Sequence, residues 1–383
     1  MRQVKNLCNQ LPMRKIVQVL PALGWGGAQV FCIQLCNELV QKEGYEVTLV
    51  SMYHHKPEKH LPLSLLDKRV NFITLGKRPA LDPAMFIKLW KLLKKLSPDV
   101  VHTHLHAGYY CFLGYKRIKR PFKKIHTFHN LVKQDSPWLG RQAFKYFFGK
   151  HIITPVSISE EVFKGAIEEY GEPIKVLIPN GSDPVKPTPL FDETKKKIAG
   201  LKKDNNTKVL VNVARISAQK NQRLLLNCMS KLEQENCNVI ALIIGDYVAD
   251  DKKIYDDLVA NKPGNVFLIG KVTNVSDYLL NADAFVLSST FEGLPISLLE
   301  ALSAGITPVC TAVGGLKDVV TSNVGYLSDE VSESSYLKTL HTFINAPAAE
   351  IEAKKMNGKA LFDQSYSMKN CAIKYNELYL NKL

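Results

Sequence analysis

Eleven short apolar runs, each followed by a segment of helical periodicity, constrain this chain more than any other feature. Six fall near Lys15–Leu20, Val47–Ser51, Val70–Thr74, Asp99–His102, Lys124–Thr127 and Ile152–Val156. Five more fall near Lys208–Val213, Val239–Ile244, Val266–Ile269, Ala284–Leu287 and Thr307–Thr311. Strands that alternate with helices are joined by crossovers, and crossovers return the chain parallel. The expected fold is therefore α/β, with two doubly wound sheets. A single core seldom supports 383 residues, which agrees with two domains. Between the groups, PNGSDPVKPTP (Pro179–Pro189) holds four prolines and no periodicity, the mark of a linker. The expected division is a domain at 1–180, a linker at 181–190, a second domain at 191–365 and a Tyr- and Leu-rich terminal helix at 366–383.

An apolar content of 46% and a charged content of 22% describe a soluble globular protein. No run approaches the roughly 18 apolar residues of a membrane span, and MRQVKNLCNQLPMRK lacks the apolar core of a secretory leader. Cysteines at 7, 32, 36, 111, 228, 237, 310 and 371 form no C-x-x-C pair. They read as reduced, mostly buried thiols of a cytoplasmic protein. Cys32 and Cys36 share a helix face, and the sequence places no His or Cys cluster to complete a metal site there. The net charge of +14 is one-sided: residues 1–180 hold 27 Lys/Arg against 13 Asp/Glu, and residues 181–383 hold 23 against 23. The whole surplus lies in the first half and points to an anionic partner there: nucleic acid, a membrane surface or a phosphorylated substrate.

The segment Asp283–Gly305 carries the most chemistry. A strand at Ala284–Leu287 breaks at Ser288 and Ser289, a polar loop brings Glu292 and Gly293, and Pro295 stands at a first helical position. An apolar-periodic helix bearing Glu300 follows, with Gly305 placed to stop it. Free amides at a helix N-terminus bind phosphate, and the flanking carboxylates bind hydroxyls. A ligand that offers both kinds of group is a nucleotide sugar. The glutamate spacing alone says little, since Glu38/Glu46, Glu160/Glu168 and Glu161/Glu169 share it. The strand–loop–helix context carries the inference.

Doubly wound sheets bind ligands beyond the carboxyl ends of their strands. After the first strand, GWGGAQ (Gly24–Gln29) opens a helix, and its glycines permit close backbone approach. It is a poor dinucleotide fingerprint, because Gln29 fills the last small-residue position and the second strand ends in Val50-Ser51-Met52 without an acid. Two further strand ends bring His102, His104, His126 and His129, read here as a polar cleft wall; metal binding by them is the other reading. In the second half, VARISAQKN places Arg215 and Lys220 at the mouth of the sheet that carries Glu292, where two cations can neutralise a diphosphate.

Taken in order, GGAQ (Gly26–Gln29), HTFH (His126–His129), PNG (Pro179–Gly181), VARISAQKN (Val213–Asn221) and FEGLP…E…AGITPV (Phe291–Val309) resemble the family 4 retaining glycosyltransferases of bacterial cell-surface polysaccharide synthesis. The resemblance implies GT-B architecture, two Rossmann-like domains facing each other across a cleft. It also implies transfer of a sugar from a nucleotide-diphosphate sugar to a glycan or lipid-linked acceptor. By position, Glu300 would bind the donor ribose; Glu292 and the amides around Gly293, Leu294 and Pro295 would hold the transferred sugar. Arg215 and Lys220 would bind the diphosphate, Gly26 and Gly27 would let the first domain reach it, and main chain at Gly270, Lys271 and Val272 would receive the base. His129 matches a histidine that contacts the sugar near its reacting centre. The chain departs from the pattern after Gly314-Gly315, reading LKD where a proline and a glutamate are usual, which leaves open whether Asp318 replaces that acid. No DxD motif is present, so the expectation is no metal and no cofactor beyond the donor, with cations and a helix N-terminus stabilising the leaving group.

Two rival readings fit parts of the same pattern. One is a non-hydrolysing nucleotide-sugar epimerase; the other is a nucleic-acid or anionic-surface binding module, for which no motif beyond charge is present. No nucleic-acid partner is expected. An anionic membrane surface is expected, with the protein peripheral on the inner face. MFIKLWKLLKKL (Met85–Leu96) is amphipathic, with Met85, Leu89, Leu92, Leu93 and Leu96 on one face, Lys88, Lys91 and Lys95 opposite, and Trp90 at the border. Lys116, Arg117, Lys119, Arg120, Lys123 and Lys124 would add charge, and the phenylalanines of RQAFKYFFGK (Arg141–Lys150) apolar anchors.

Overall fold

In a computed structural model, which describes residues 14–57, 60–132 and 138–382, the chain forms two compact units. The first comprises residues 14–157, 165–176 and 372–382; the second comprises 158–164 and 177–371.

The first unit is built on seven strands: β1 (Arg14–Leu20), β2 (Tyr45–Ser51), β3 (Asn71–Thr74), β4 (Val100–His104), β5 (Lys123–Thr127), β6 (Thr154–Ser157) and β7 (Val176–Leu177). Their order is β3-β2-β1-β4-β5-β6-β7. The second unit holds β8 (Lys208–Val213), β9 (Val239–Ile244), β10 (Val266–Gly270), β11 (Ala284–Leu287), β12 (Thr307–Thr311) and β13 (Tyr326–Ser328), in the order β10-β9-β8-β11-β12-β13. The pairings described for β1 with β2 and β4, and for β8 with β9 and β11, are parallel. In each sheet the order reverses beside the first strand, β1/β4 and β8/β11. These are the switch points above which such sheets bind ligands.

Strands covered on both faces read as continuous apolar runs, and all six residues of β9 are buried. The helix Pro83–Leu96 starts where the Asp82 carboxylate accepts the Ala84 amide at 3.1 Å, and ends at Ser97 with φ 50. The strand expected at Ile152–Val156 begins instead at Thr154. His151 sits at φ 51 and the Ile152 amide still bonds to Phe147 of the preceding helix. β4 runs on to His104 because that residue pairs with Thr127 of β5.

The proline-rich stretch is irregular but anchored to the second unit. Ser182 bridges Ser367, and the amides of Val185 and Thr188 donate to Ser303 Oγ and Asp277 Oδ1, both at 2.8 Å. Among the described residues no helix is long and apolar enough to cross a membrane.

Candidate functional site

At the β8/β11 switch point three loops are stitched together. Beyond β8, Ala214 and Ile216 donate to Ile244 and Asp246, and Gly245 donates to Gly270 at 3.0 Å, so the ends of β8, β9 and β10 are tied together. Gly245 makes this possible: at φ +148, a Cβ there would lie 1.9 Å from the Ala214 carbonyl. Lys271 is exposed and Val272 half-buried just beyond. Residues 217–221 then lie along 288–291. The Thr290 amide donates to Gln219 O at 2.8 Å, Gln219 Nε2 to Phe291 O at 3.0 Å, and Ser288 Oγ to Asn221 O at 2.9 Å.

Glu292 is only 3% exposed. Its Oε1 accepts from Lys220 Nζ at 2.5 Å and from Ser289 Oγ at 2.6 Å, so the carboxylate is both neutralised and oriented. Lys220 is thus engaged within the protein rather than held free for a diphosphate. Arg215, by contrast, is exposed, and its guanidinium bonds to no group among the described residues. The amides of Gly293 and Leu294 meet no protein acceptor there either. Pro295 is the N-cap, one residue earlier than the expected first helical position, and no side chain caps the helix Ile296–Ser303. An unpaired cation, amides without a protein acceptor and an uncapped helix start are groups of the kind that can bind an anion, beside a fixed carboxylate.

Three contacts that support this loop are not readable from the sequence. Asn180, buried in the linker, donates through Nδ2 to Leu294 O at 2.9 Å and pins the loop from behind. Gly314 and Gly315 pass so close that a Cβ on either would lie 1.8 Å from Glu292 O and 2.2 Å from Gly293 O. Asp183 lies near enough to Glu300 to act on it: burial first, then the Asp183 charge, pushes the Glu300 carboxyl up to about 7. Asp318 accepts the Glu160 amide at 3.0 Å and so caps the helix Glu160–Tyr170.

In the first unit, Gly26 is the N-cap of the helix Gly27–Val40, which has no capping side chain and no acid in its first turn. The cleft-wall reading of the histidines fails for three of the four. His102, His104 and His126 are fully buried, and only His129 is partly exposed. Burial holds His129 at about 3, with a contribution from His126, so its ring is neutral. Cys32, His104 and His129 place ligating atoms within 4.8 Å of one another, a grouping invisible in linear spacing. His104 Nδ1 and His129 Nε2 already share a proton at 2.9 Å. Glu235, Cys237 and His341 form a second such group on the second unit.

The membrane-facing expectation also changes in detail. Met85, Leu89 and Leu93 are buried in their own unit, and Lys88 Nζ donates to Leu75 O at 2.8 Å. Phe144, Phe147 and Phe148 are core residues, so they anchor nothing outside. Exposed apolar groups on these two helices are Ile87, Trp138, Leu139 and Tyr146. Arg120 is paired with Asp99, and Lys123 donates to the Leu378 carbonyl, which removes both from a free basic surface. Lys116 lies 4.7 Å over the Phe112 ring and 4.9 Å over that of Tyr146.

Two Rossmann-like parallel sheets, one in each unit, are the GT-B architecture. Residues 193–360 match the model of Glycosyl transferases group 1, and residues 25–186 that of Glycosyltransferase Family 4. The chain belongs to the family 4 retaining glycosyltransferases. It is 28% identical to the UDP-Gal:alpha-D-GlcNAc-diphosphoundecaprenol alpha-1,3-galactosyltransferase of Escherichia coli, over 89% of this chain and 88% of that one. It is 26% identical to the capsular polysaccharide biosynthesis glycosyltransferase CapH of Staphylococcus aureus, over 76% and 79%. In fold it resembles Anabaena HepE in complex with UDP and glucose (TM-score 0.80, 15% identity, 97% and 100% covered). It also resembles WaaG, a glycosyltransferase involved in lipopolysaccharide biosynthesis (TM-score 0.68, 16% identity, 95% and 99% covered). These relatives support sugar transfer and not the epimerase or simple binding-module readings, which are set aside.

Proposed function

We propose that this enzyme moves a hexose from a UDP-sugar to a lipid-linked saccharide at the cytoplasmic face of a membrane, for cell-surface polysaccharide synthesis. The convergence of Arg215, the open Gly293–Leu294 amides, Glu292 and Glu300 at one switch point carries the donor half of this reading. The named activities of the relatives support the acceptor half. Glu300 accepts the ribose hydroxyls, and main chain at Gly270–Val272 receives the base. Glu292, fixed by Lys220 and Ser289, holds sugar hydroxyls. Arg215 and the helix start stabilise the departing diphosphate in place of a metal. For His129 and the Gly26–Gly27 helix start we keep the roles that the family resemblance implies. Retention on this reading proceeds by same-face displacement through an oxocarbenium-like state.

Glu300 gives a pH test. Only its ionised form accepts two hydroxyl protons, and its carboxyl stands at about 7. Nucleotide affinity should therefore rise about tenfold from pH 6 to pH 8, following the ionised fraction. The stability of the ligand-free protein runs the other way. A carboxyl raised above its unfolded value favours the fold while protonated, and that contribution fades as pH climbs from the unfolded value through about 7. Calorimetric titration with UDP across this range checks the first, and thermal melts without ligand the second. Affinity that is flat with pH would remove Glu300 from the ribose.

The membrane half predicts co-sedimentation with vesicles containing anionic lipid, declining from low to high salt. Each surface lysine adds about 1 kcal/mol and is screened. Trp138→Ser with Leu139→Ser should weaken that binding without touching the core, since both side chains are exposed. In paired assays, a diphosphate-lipid-linked GlcNAc should be a better acceptor than the same sugar in soluble form. Equal use of both acceptors, with no vesicle binding at low salt, would favour a soluble acceptor.

A further inference from the structure

A buried polar network in the first unit leads to His129. β4 is buried along its whole length yet carries two histidines, and buried polar groups persist where their hydrogen bonds are met. The protons can be placed one after another. Gln18 Nε2 donates to Tyr379 Oη at 2.9 Å, so Gln18 Oε1 faces His104 Nε2 at 2.8 Å. A carbonyl oxygen only accepts. His104 therefore keeps its proton on Nε2, and its bare Nδ1 accepts from His129 Nε2 at 2.9 Å. On the other branch, the Tyr379 hydroxyl donates to His102 Nδ1 at 2.8 Å, and His102 Nε2 donates to Thr127 Oγ1 at 2.8 Å. Burial keeps His102, His104 and His129 neutral, so no extra proton interrupts the chain. Phe31 packs edge-on against His129 and His104, with ring centroids at 5.3 and 6.2 Å.

The chain ends at His129 Nδ1, which is buried and has no hydrogen-bond partner. Turning the Gln18 amide over would reverse every proton and make that nitrogen a donor. One side-chain amide, held by one tyrosine of the last helix, thus decides what His129 offers.

We propose that Gln18 and Tyr379 are positioning residues for His129: through His104 they fix it as the Nε2-protonated tautomer and present its bare Nδ1 to accept a hydroxyl proton of the bound sugar. This rests on His129 as a sugar-contacting residue. Tyr379 lies on the helix Met368–Tyr379, so the final turns of the chain bear on the chemistry without touching substrate.

The test uses the full chain with 15N-labelled histidine and long-range 1H–15N correlation, which reads each ring's tautomer directly. In the wild type, His104 and His129 should both appear with protonated Nε2. Tyr379→Phe removes the acceptor that fixes the Gln18 amide. It should give mixed tautomers at His129 and lower kcat/KM about tenfold, with a folded melt. Gln18→Met should do the same; if it fails to fold, Tyr379→Phe stands alone. A wild-type His129 protonated on Nδ1 would overturn the proposal, as would unchanged tautomers and kinetics in Tyr379→Phe. Stoichiometric zinc in the purified chain with metal-shifted His104 and His129 nitrogens would also overturn it, making Cys32, His104 and His129 a metal site. His129→Asn with full activity but an intact wild-type tautomer pattern would instead refute the role of His129 on which the proposal rests.

Discussion

Arg215→Gln should lower kcat/KM by about 10²- to 10³-fold, the loss that follows removal of one preorganised stabiliser of developing charge. The substitution is clean because Arg215 is exposed and its guanidinium bonds to no group among the described residues, so no buried group is stranded. Lys220 is a poorer probe. It neutralises a carboxylate that is 3% exposed, and stripping one partner from a buried pair costs about 3–5 kcal/mol. Lys220→Ala should therefore show first as a fall in melting temperature, and its lost activity cannot be assigned to the diphosphate. Initial rates across the series, each with a thermal melt, separate the two effects. The same assays in EDTA should retain activity. Wild-type kcat/KM in Arg215→Gln, or EDTA inhibition reversed by a divalent cation, would mean that the leaving group is stabilised by other means.

Gly314→Ala should weaken nucleotide binding at least tenfold, although residue 314 need not touch the ligand. At φ +53 a side chain already costs about 1–2 kcal/mol in left-handed backbone. Its Cβ would also stand 1.8 Å from the Glu292 carbonyl, and main chain cannot swing aside like a side-chain tip. The loop bearing Glu292 and the open amides must shift. Gly305→Ala is the matched control. It too has positive φ (+69), but nothing lies within 4 Å of its Cβ. It should lower the melting temperature by a few degrees, about 2–4 °C per kcal/mol in a domain of this size, and leave nucleotide affinity alone. Equal affinities in the two variants would show that close approach at Gly314 does not hold the loop in place.

How legible the molecule was depended on whether a feature is local. Strands buried on both faces announce themselves as apolar runs, so β8, β9, β11 and β12 stand where the sequence put them. β7 and β13, of two and three residues, are too short for any period to show. The Glu292 loop was readable because strand, loop and helix are consecutive. Its partners were not: Asn180 reaches it across 114 positions, and Lys220 across 72. The phenylalanines of Arg141–Lys150 misled for the opposite reason. Helical spacing shows that apolar side chains share a face, but not whether core or solvent meets it; here the core does. The histidines are legible as four strand-end residues, yet the hydrogen bonds that join His102 and His104 run through Gln18 and Tyr379, 361 positions apart. No spacing argument joins those two.

Retaining transfer from a nucleotide sugar is tested most directly by the anomeric configuration of the product. The enzyme would be incubated with a panel of UDP-hexoses, each with and without diphosphate-lipid-linked GlcNAc, and the product's anomeric proton coupling read by NMR. The account predicts UDP release only when acceptor is present, and an α-linked product from an α-linked donor. A β-linked product, or an isomerised nucleotide sugar formed without acceptor, would contradict it.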